Sequence, residues 1–165
     1  MILAINTGSD KNSIALYSTS VGDEVIWKSY KTQSQELLPK INKLLQFNKV
    51  KLLDLKAVAV YQGPGSYTGL RVGISVANAL AWSLNIPVIG IKKCYTDTLS
   101  NCQKKNSGVN KSNNVTIQQC NLSTTPETGN SPALEIAQRA QKIFIKKNCS
   151  KFTVLVSPYY GVNKI

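Results

Sequence analysis

The chain has no histidine, and that absence removes more chemistry than any other feature of its composition. Without imidazole there is no Ser–His or Cys–His pair to activate a nucleophile, and no ordinary side chain that titrates near neutrality. The four cysteines, Cys94, Cys102, Cys120 and Cys149, include no C-x-x-C pair. Tetrahedral zinc needs thiolates or imidazoles at short spacing, so no metal site is expected. Acids are also scarce, with eight Asp and Glu against twenty Lys and Arg. Asp10, Asp23 and Glu24 fall in turn-like segments, while Glu36, Asp54 and Asp97 flank elements. Caps and solvated faces account for such positions, and no spacing singles out two carboxylates as an acid–base pair. Long unbroken apolar runs are missing too. The stretch "VGISVANALAWSLNIPVIGI" is interrupted by Asn78, Ser83, Asn85 and Pro87, and reads as a buried helix followed by a strand. Met1 leads straight into "ILAIN", without a basic n-region or a small-residue cleavage site. A secretory leader and a membrane span are therefore not expected, and a reducing cytoplasm is the expected location.

What is present in excess is positive charge, a formal net of +12. Clustered lysines suit a polyanion such as RNA, because binding releases counterions. Overuse of lysine and asparagine, as in a chain encoded by an AT-rich genome, gives the same balance. Only Arg71 and Arg139 are arginines, although the guanidinium fork is the usual instrument of nucleic-acid readers. Residues 101–165 carry nine basic and two acidic residues, a local net of +7 (9 − 2).

Along the chain, "MILAIN", "SIALYS" and "EVIWKSYK" read as three strands joined by the turns "TGSDKN" and "VGD", an antiparallel meander. The period then becomes helical. In "SQELLPKINKLLQF", Leu37, Leu38, Ile41, Leu44 and Leu45 share one side, with Ser34 expected as N-cap and Pro39 bending the entry. "LKAVAVYQG" reads as a central strand, "LRVGISVANALAWSL" as a long helix and "IPVIGIKK" as the next strand. That β-α-β-α-β order adds parallel strands with crossover helices to the meander. Residues 100–131 read as a polar linker, a loop or a segment of weak partial order, because its apolar content is low against the entropy of ordering. "PALEIAQRAQKIFIKKN" restores a helix with a stripe of Leu134, Ala137, Ala140, Ile143 and Phe144, and "KFTVLVS" reads as a last strand.

Between the central strand and the long helix lies "GPGSYTG", residues 63–69. It fails as a P-loop, because Leu70 and Arg71 follow Gly69 where Lys and Ser/Thr should stand. It also fails the G-x-G-x-x-G dinucleotide pattern by one residue. A weaker candidate survives, in which Gly63, Gly65, Ser66 and Thr68 hold an anion on the exposed donors of the helix start. The helix itself carries a ladder of small residues, Gly69, Gly73, Ala77 and Ala81, at four-residue spacing. Two glycines within a helix cost about 1 kcal/mol each relative to alanine. Close approach of another element offsets that cost, and the element is either the chain's own sheet or a partner helix.

The stretches "ILAINTGSDKNSIALYS", "SQELLPKI" and "AVAVYQGPGSYTGLRVGISVANALAWSLNIPVIGI" resemble the TsaB family, a bacterial subunit for making threonylcarbamoyladenosine beside the anticodon of tRNA. The resemblance covers residues 1 to about 93 well, and residues 132–160 faintly through "SPALEIAQRAQ" and "PYY". It implies an α/β fold of the actin-like ATPase, ribonuclease H-like type: a mixed sheet with a three-strand meander plus β-α-β crossovers. It also implies a truncated second lobe, with residues 1–99 as the first lobe, 100–131 as linker and 132–165 completing the fold. TsaB is the non-catalytic paralogue of TsaD, so the resemblance implies a scaffold without cofactor or metal. Its expected partners are a TsaD-type enzyme, a TsaE-type ATPase and tRNA, with a homodimer through the same helix face as a further expectation. The expected partner surface is Leu37, Leu38, Ile41, Gly69, Gly73, Ala77 and Ala81. At the end of the first strand the family's Asp-Thr-Ser reads Asn6-Thr7-Gly8, which makes these residues a vestigial phosphate-loop position. A neutral amide cannot supply the charge that manages magnesium. Two rival functions follow from the residues themselves: a small nucleotide-binding phosphotransferase or hydrolase using the 63–68 loop, and a basic RNA-binding module.

Overall fold

A computed structural model describes residues 1–19, 22–29, 32–93, 120–122, 132–147 and 155–159. Six strands form one sheet: β1 (Ile2–Asn6), β2 (Lys11–Tyr17), β3 (Gly22–Lys28), β4 (Ala57–Gly63), β5 (Val88–Lys93) and β6 (Cys120–Leu122), in the order β3-β2-β1-β4-β5-β6. β1, β2 and β3 pair antiparallel, and β1–β4, β4–β5 and β5–β6 pair parallel. The expected meander with crossovers, an actin-like, ribonuclease H-like arrangement, is therefore the observed one. Helices α1 (Gln33–Phe47) and α2 (Tyr67–Leu84) cover one face of the sheet, and α3 (Pro132–Lys147) covers the other. Among the described residues no helix is long and apolar enough to cross a membrane.

The two faces differ in the size of their side chains, and the strand period of two explains how one sequence serves both. Leu3, Ile5, Ile14, Leu16, Val58 and Val60 point to α1 and α2, where they meet Leu37, Ile41, Leu44, Leu45, Leu70 and Ile74. The alternate positions, Ala4, Ala15, Ala57 and Ala59, point to α3. These alanines, with Ile2, Ile89 and Ile91 beside them, offer little depth at the centre of the sheet, and α3 answers with Ala133, Ile136, Ala137 and Ala140. This corrects the expected stripe. Ala133 and Ile136 take the inner positions, while Leu134, Ile143 and Phe144 are half-buried at the margin.

Three further boundaries differ from expectation. α1 begins at Gln33 with Thr32 as its N-cap, and Ser34 lies inside the helix. The reason lies in β3: the Thr32 hydroxyl donates to Glu36 Oε1 at 2.6 Å, and Glu36 Oε2 accepts from the Trp27 indole at 2.9 Å. Within the polar segment 100–131, Cys120–Leu122 forms the edge strand β6, and the rest lies outside the described residues. Of the expected last strand, residues 155–157 are irregular backbone, and 151–154 lie outside the described residues.

Candidate functional site

Two loops meet where β1 and β4 end. The first, Asn6-Thr7-Gly8, is buried throughout. Asn6 Oδ1 accepts from Gly8 N at 3.2 Å, so the amide closes a tight turn. The Thr7 hydroxyl donates to the carbonyl of Gly69 at 2.7 Å, across the first turn of α2. The second loop, residues 63–66, is bound back to the first by Ser66 N, which donates to Gly8 O at 2.8 Å. Tyr61 donates its hydroxyl to Pro64 O at 2.8 Å, and its ring lies against Gly8, where a Cβ would stand 2.7 Å from Cδ1.

Bare backbone is what lets the loops touch. A Cβ on Gly65 would strike the carbonyl oxygen of Gly8, one on Gly69 that of Thr7, and one on Gly73 the Thr7 hydroxyl. The glycines of "GPGSYTG" and the first two rungs of the small-residue ladder thus serve a single contact, in which residues 7 and 8 wedge against the start of α2. Ser66 caps α2 by accepting from Gly69 N at 3.4 Å. The candidate anion loop is therefore largely occupied by its own chain: Gly63 and the Gly65–Gly8 contact are internal, and the Ser66 amide and hydroxyl both have partners. Thr68 is exposed, as are Tyr67 and Arg71, whose guanidinium stacks 3.9 Å from the Tyr67 ring centroid. Among the described residues no three His, Cys, Asp or Glu side chains come together as metal ligands would.

The expected partner surface is placed differently from expectation. Leu37, Ile41, Gly69, Gly73, Ala77 and Ala81 are all buried in the chain's own core. This is a correction with a plain cause, since the small-residue stripe lies on β1 and Thr7 and presents nothing to solvent. Leu38 alone of the seven is on the surface, 50% exposed. The outer side of α2 carries Arg71, Ser75, Ala79 and Trp82, spaced as one helical face, and Trp82 is 71% exposed. Trp82 was not among the expected site residues. Its signal in the sequence is its phase, because it falls one residue past Ala81 and so off the buried stripe.

Two glutamates show opposite electrostatics. The hydrogen bond from Thr32, with others from Ser29 and Trp27, holds the Glu36 carboxyl below the usual carboxylate range. Burial pushes Glu24 up, although the amides of Leu134 and Ala133 at the start of α3 oppose it.

The family model described as "TsaD: tRNA N6-adenosine threonylcarbamoyltransferase" matches residues 28–109. The chain is 41% identical over 91 residues to the tRNA threonylcarbamoyladenosine biosynthesis protein TsaB of Buchnera aphidicola (subsp. Schizaphis graminum), covering 55% of this chain and 43% of that protein. It is 34% identical over 95 residues to the TsaB of Escherichia coli (strain K12), covering 58% and 41%. YeaZ from Pseudomonas aeruginosa, a solved structure, superposes with a TM-score of 0.54 at 32% identity, covering 55% of this chain and 43% of that one. The match thus spans less than half the length of each of these relatives.

Proposed function

We propose that this chain, 41% identical to a TsaB protein over 55% of its length, is a non-catalytic partner of a TsaD-type threonylcarbamoyltransferase in the modification of tRNA. In this reading it binds the enzyme through the outer faces of α1 and α2, and a TsaE-type ATPase joins the pair. The basic surface lies toward tRNA, and the same helix faces form a homodimer when the enzyme is absent.

The observation that carries the proposal is the exposure of Trp82 and Leu38 on the two helices of the matched region. An exposed tryptophan on a helix face shared with Arg71, Ser75 and Ala79 is the kind of anchor that dominates protein interfaces. The loop at residues 6–8 supports the scaffold role rather than the phosphotransferase, because Asn6 offers an amide in place of a carboxylate and its loop is packed against the 63–66 loop. The test is co-purification with the TsaD-type enzyme from the same organism. The wild-type chain should elute as a complex on size exclusion, and Trp82→Glu with Leu38→Glu should elute alone while keeping its circular dichroism spectrum. Failure of the wild type to form any complex, or an unchanged complex with the double variant, would refute it.

A further inference from the structure

Asparagine is a poor helix former, yet Asn78 stands in the middle of α2. Its carboxamide is turned to residues 155–159. Nδ2 donates to the carbonyl of Val156 at 2.8 Å, and Oδ1 accepts from the Val156 amide at 3.0 Å. One side chain thus satisfies both main-chain groups of one residue, as a neighbouring strand would. At the end of β4, Gln62 holds two further main-chain groups of the segment, one with its backbone and one with its side chain. Its main-chain carbonyl accepts from Tyr159 N at 2.7 Å, and its side-chain Nε2 donates to Ser157 O.

Bare positions make room for this segment. Gly63, at φ +123°, lies where any Cβ would strike the carbonyl oxygen of Tyr159, and a Cβ on Gly90 would come within 3.0 Å of Val156 Cγ1. Only one side chain of the segment is buried deeply, Val156, which enters the core on the α2 side. Lys92 Nζ lies 4.6 Å from the centroid of the Tyr159 ring. Leu155 and Ser157 point outward.

We propose that the groove between α2 and the ends of β4 and β5 is a peptide-binding site in its own right. Its ligand class is an extended segment of the pattern apolar–any–Pro–aromatic, read chiefly through its main chain by Asn78 and Gln62. Residues 155–159 are the resident ligand, tethered to the protein that holds them. The segment is no strand of the sheet: a single main-chain bond, from Tyr159 N to Gln62 O, ties it to β4, and the side-chain amides of Asn78 and Gln62 hold the rest, as in a site that receives a peptide. A tethered ligand gains from a high effective concentration, and weakening it should let the same peptide enter from solution. The inference rests on the fold alone and stands apart from the proposed partnership.

The test uses the full chain with Val156→Ser, which weakens the resident segment and leaves Asn78, Gln62, Gly63 and Gly90 in place. A fluorescently labelled peptide "LVSPY" should bind this variant saturably by polarisation, and bind the wild type at least about tenfold more weakly, because there the segment competes. Adding Asn78→Ala should lower the affinity by about tenfold or more, as two main-chain hydrogen bonds are lost. Three results would overturn the proposal: no saturable binding at millimolar peptide by a folded Val156→Ser chain, equal affinity with and without Asn78, or unfolding of the Val156→Ser chain. The last would make the segment an integral part of the core, since a bound ligand is dispensable for the body that binds it.

Discussion

The two sides of α2 both carry small residues and meet opposite fates. The inner side, Gly69, Gly73, Ala77 and Ala81, is spent on the chain's own β1 and on Thr7, whose side chain and carbonyl occupy the space that Cβ atoms would need. The outer side, Ser75 and Ala79 between Arg71 and Trp82, faces solvent. A run of small residues on a helix therefore reports that something comes close to its backbone, and does not say what. Here the close neighbour is internal, and the exposed aromatic stands on the side that the chain's own core leaves open.

The sharpest way to break this contrast is to fill the inner side. Gly73→Leu should overpack the contact with Thr7 and cost about 3 kcal/mol or more, read as a lowered urea midpoint or as loss of soluble protein. Thr7→Val keeps the shape and removes the donor to Gly69 O, so it should cost about 1–2 kcal/mol, visible as a smaller shift of the same midpoint. Both losses should appear in the isolated chain, with no partner present. On the outer side, Trp82→Ser should change the stability of the isolated chain by no more than about 0.5 kcal/mol. If it destabilises the chain as much as Thr7→Val does, the outer face is not a free surface and the comparison fails.

A smaller effect concerns pH and the anchoring of α1. Because the folded chain holds the Glu36 carboxyl below its ordinary value, its contribution is present above the unfolded-state pKa and is lost as pH falls through the folded one. Glu24 has the opposite sign: its raised pKa gives a contribution present below the unfolded value and lost as pH rises through the folded one. Glu36→Gln should therefore flatten the acid limb of the stability curve and alter the fluorescence of Trp27, whose indole donates to that carboxylate. Glu24→Gln should leave Trp27 fluorescence as it is.

Much of the architecture was legible because its signals are local. The change from period two to period three-and-a-half at residues 33–47 separates meander from helix, and the order of apolar runs fixes the crossovers. The N-cap was misplaced by two residues because Thr32 is selected by Glu36 and Trp27, a contact between β3 and α1 that neither segment reveals alone. The α3 stripe holds at Ala137 and Ala140 and differs at Ala133 and Ile136, because helical spacing names several overlapping faces. Which one turns inward depends on Ala4, Ala15, Ala57 and Ala59, far away in sequence. The site divides the same way. "GPGSYTG" announced a tight approach of backbone, and the missing lysine and the neutral Asn6 argued against phosphate chemistry. That Gly8 and Thr7 fill the approach could not be read, since it joins positions about sixty residues apart.

The sequence by itself determined the sheet-and-crossover plan, the family likeness of its first 93 residues and the shortage of acid–base groups, because each follows from residue type and short-range spacing. Only the tertiary structure decided which face of α2 is spent inside the chain, that Trp82 stands free of the core, and that Asn78 and Gln62 hold residues 155–159. Those outcomes depend on distances between segments brought together by folding, and no local pattern encodes a distance across the chain.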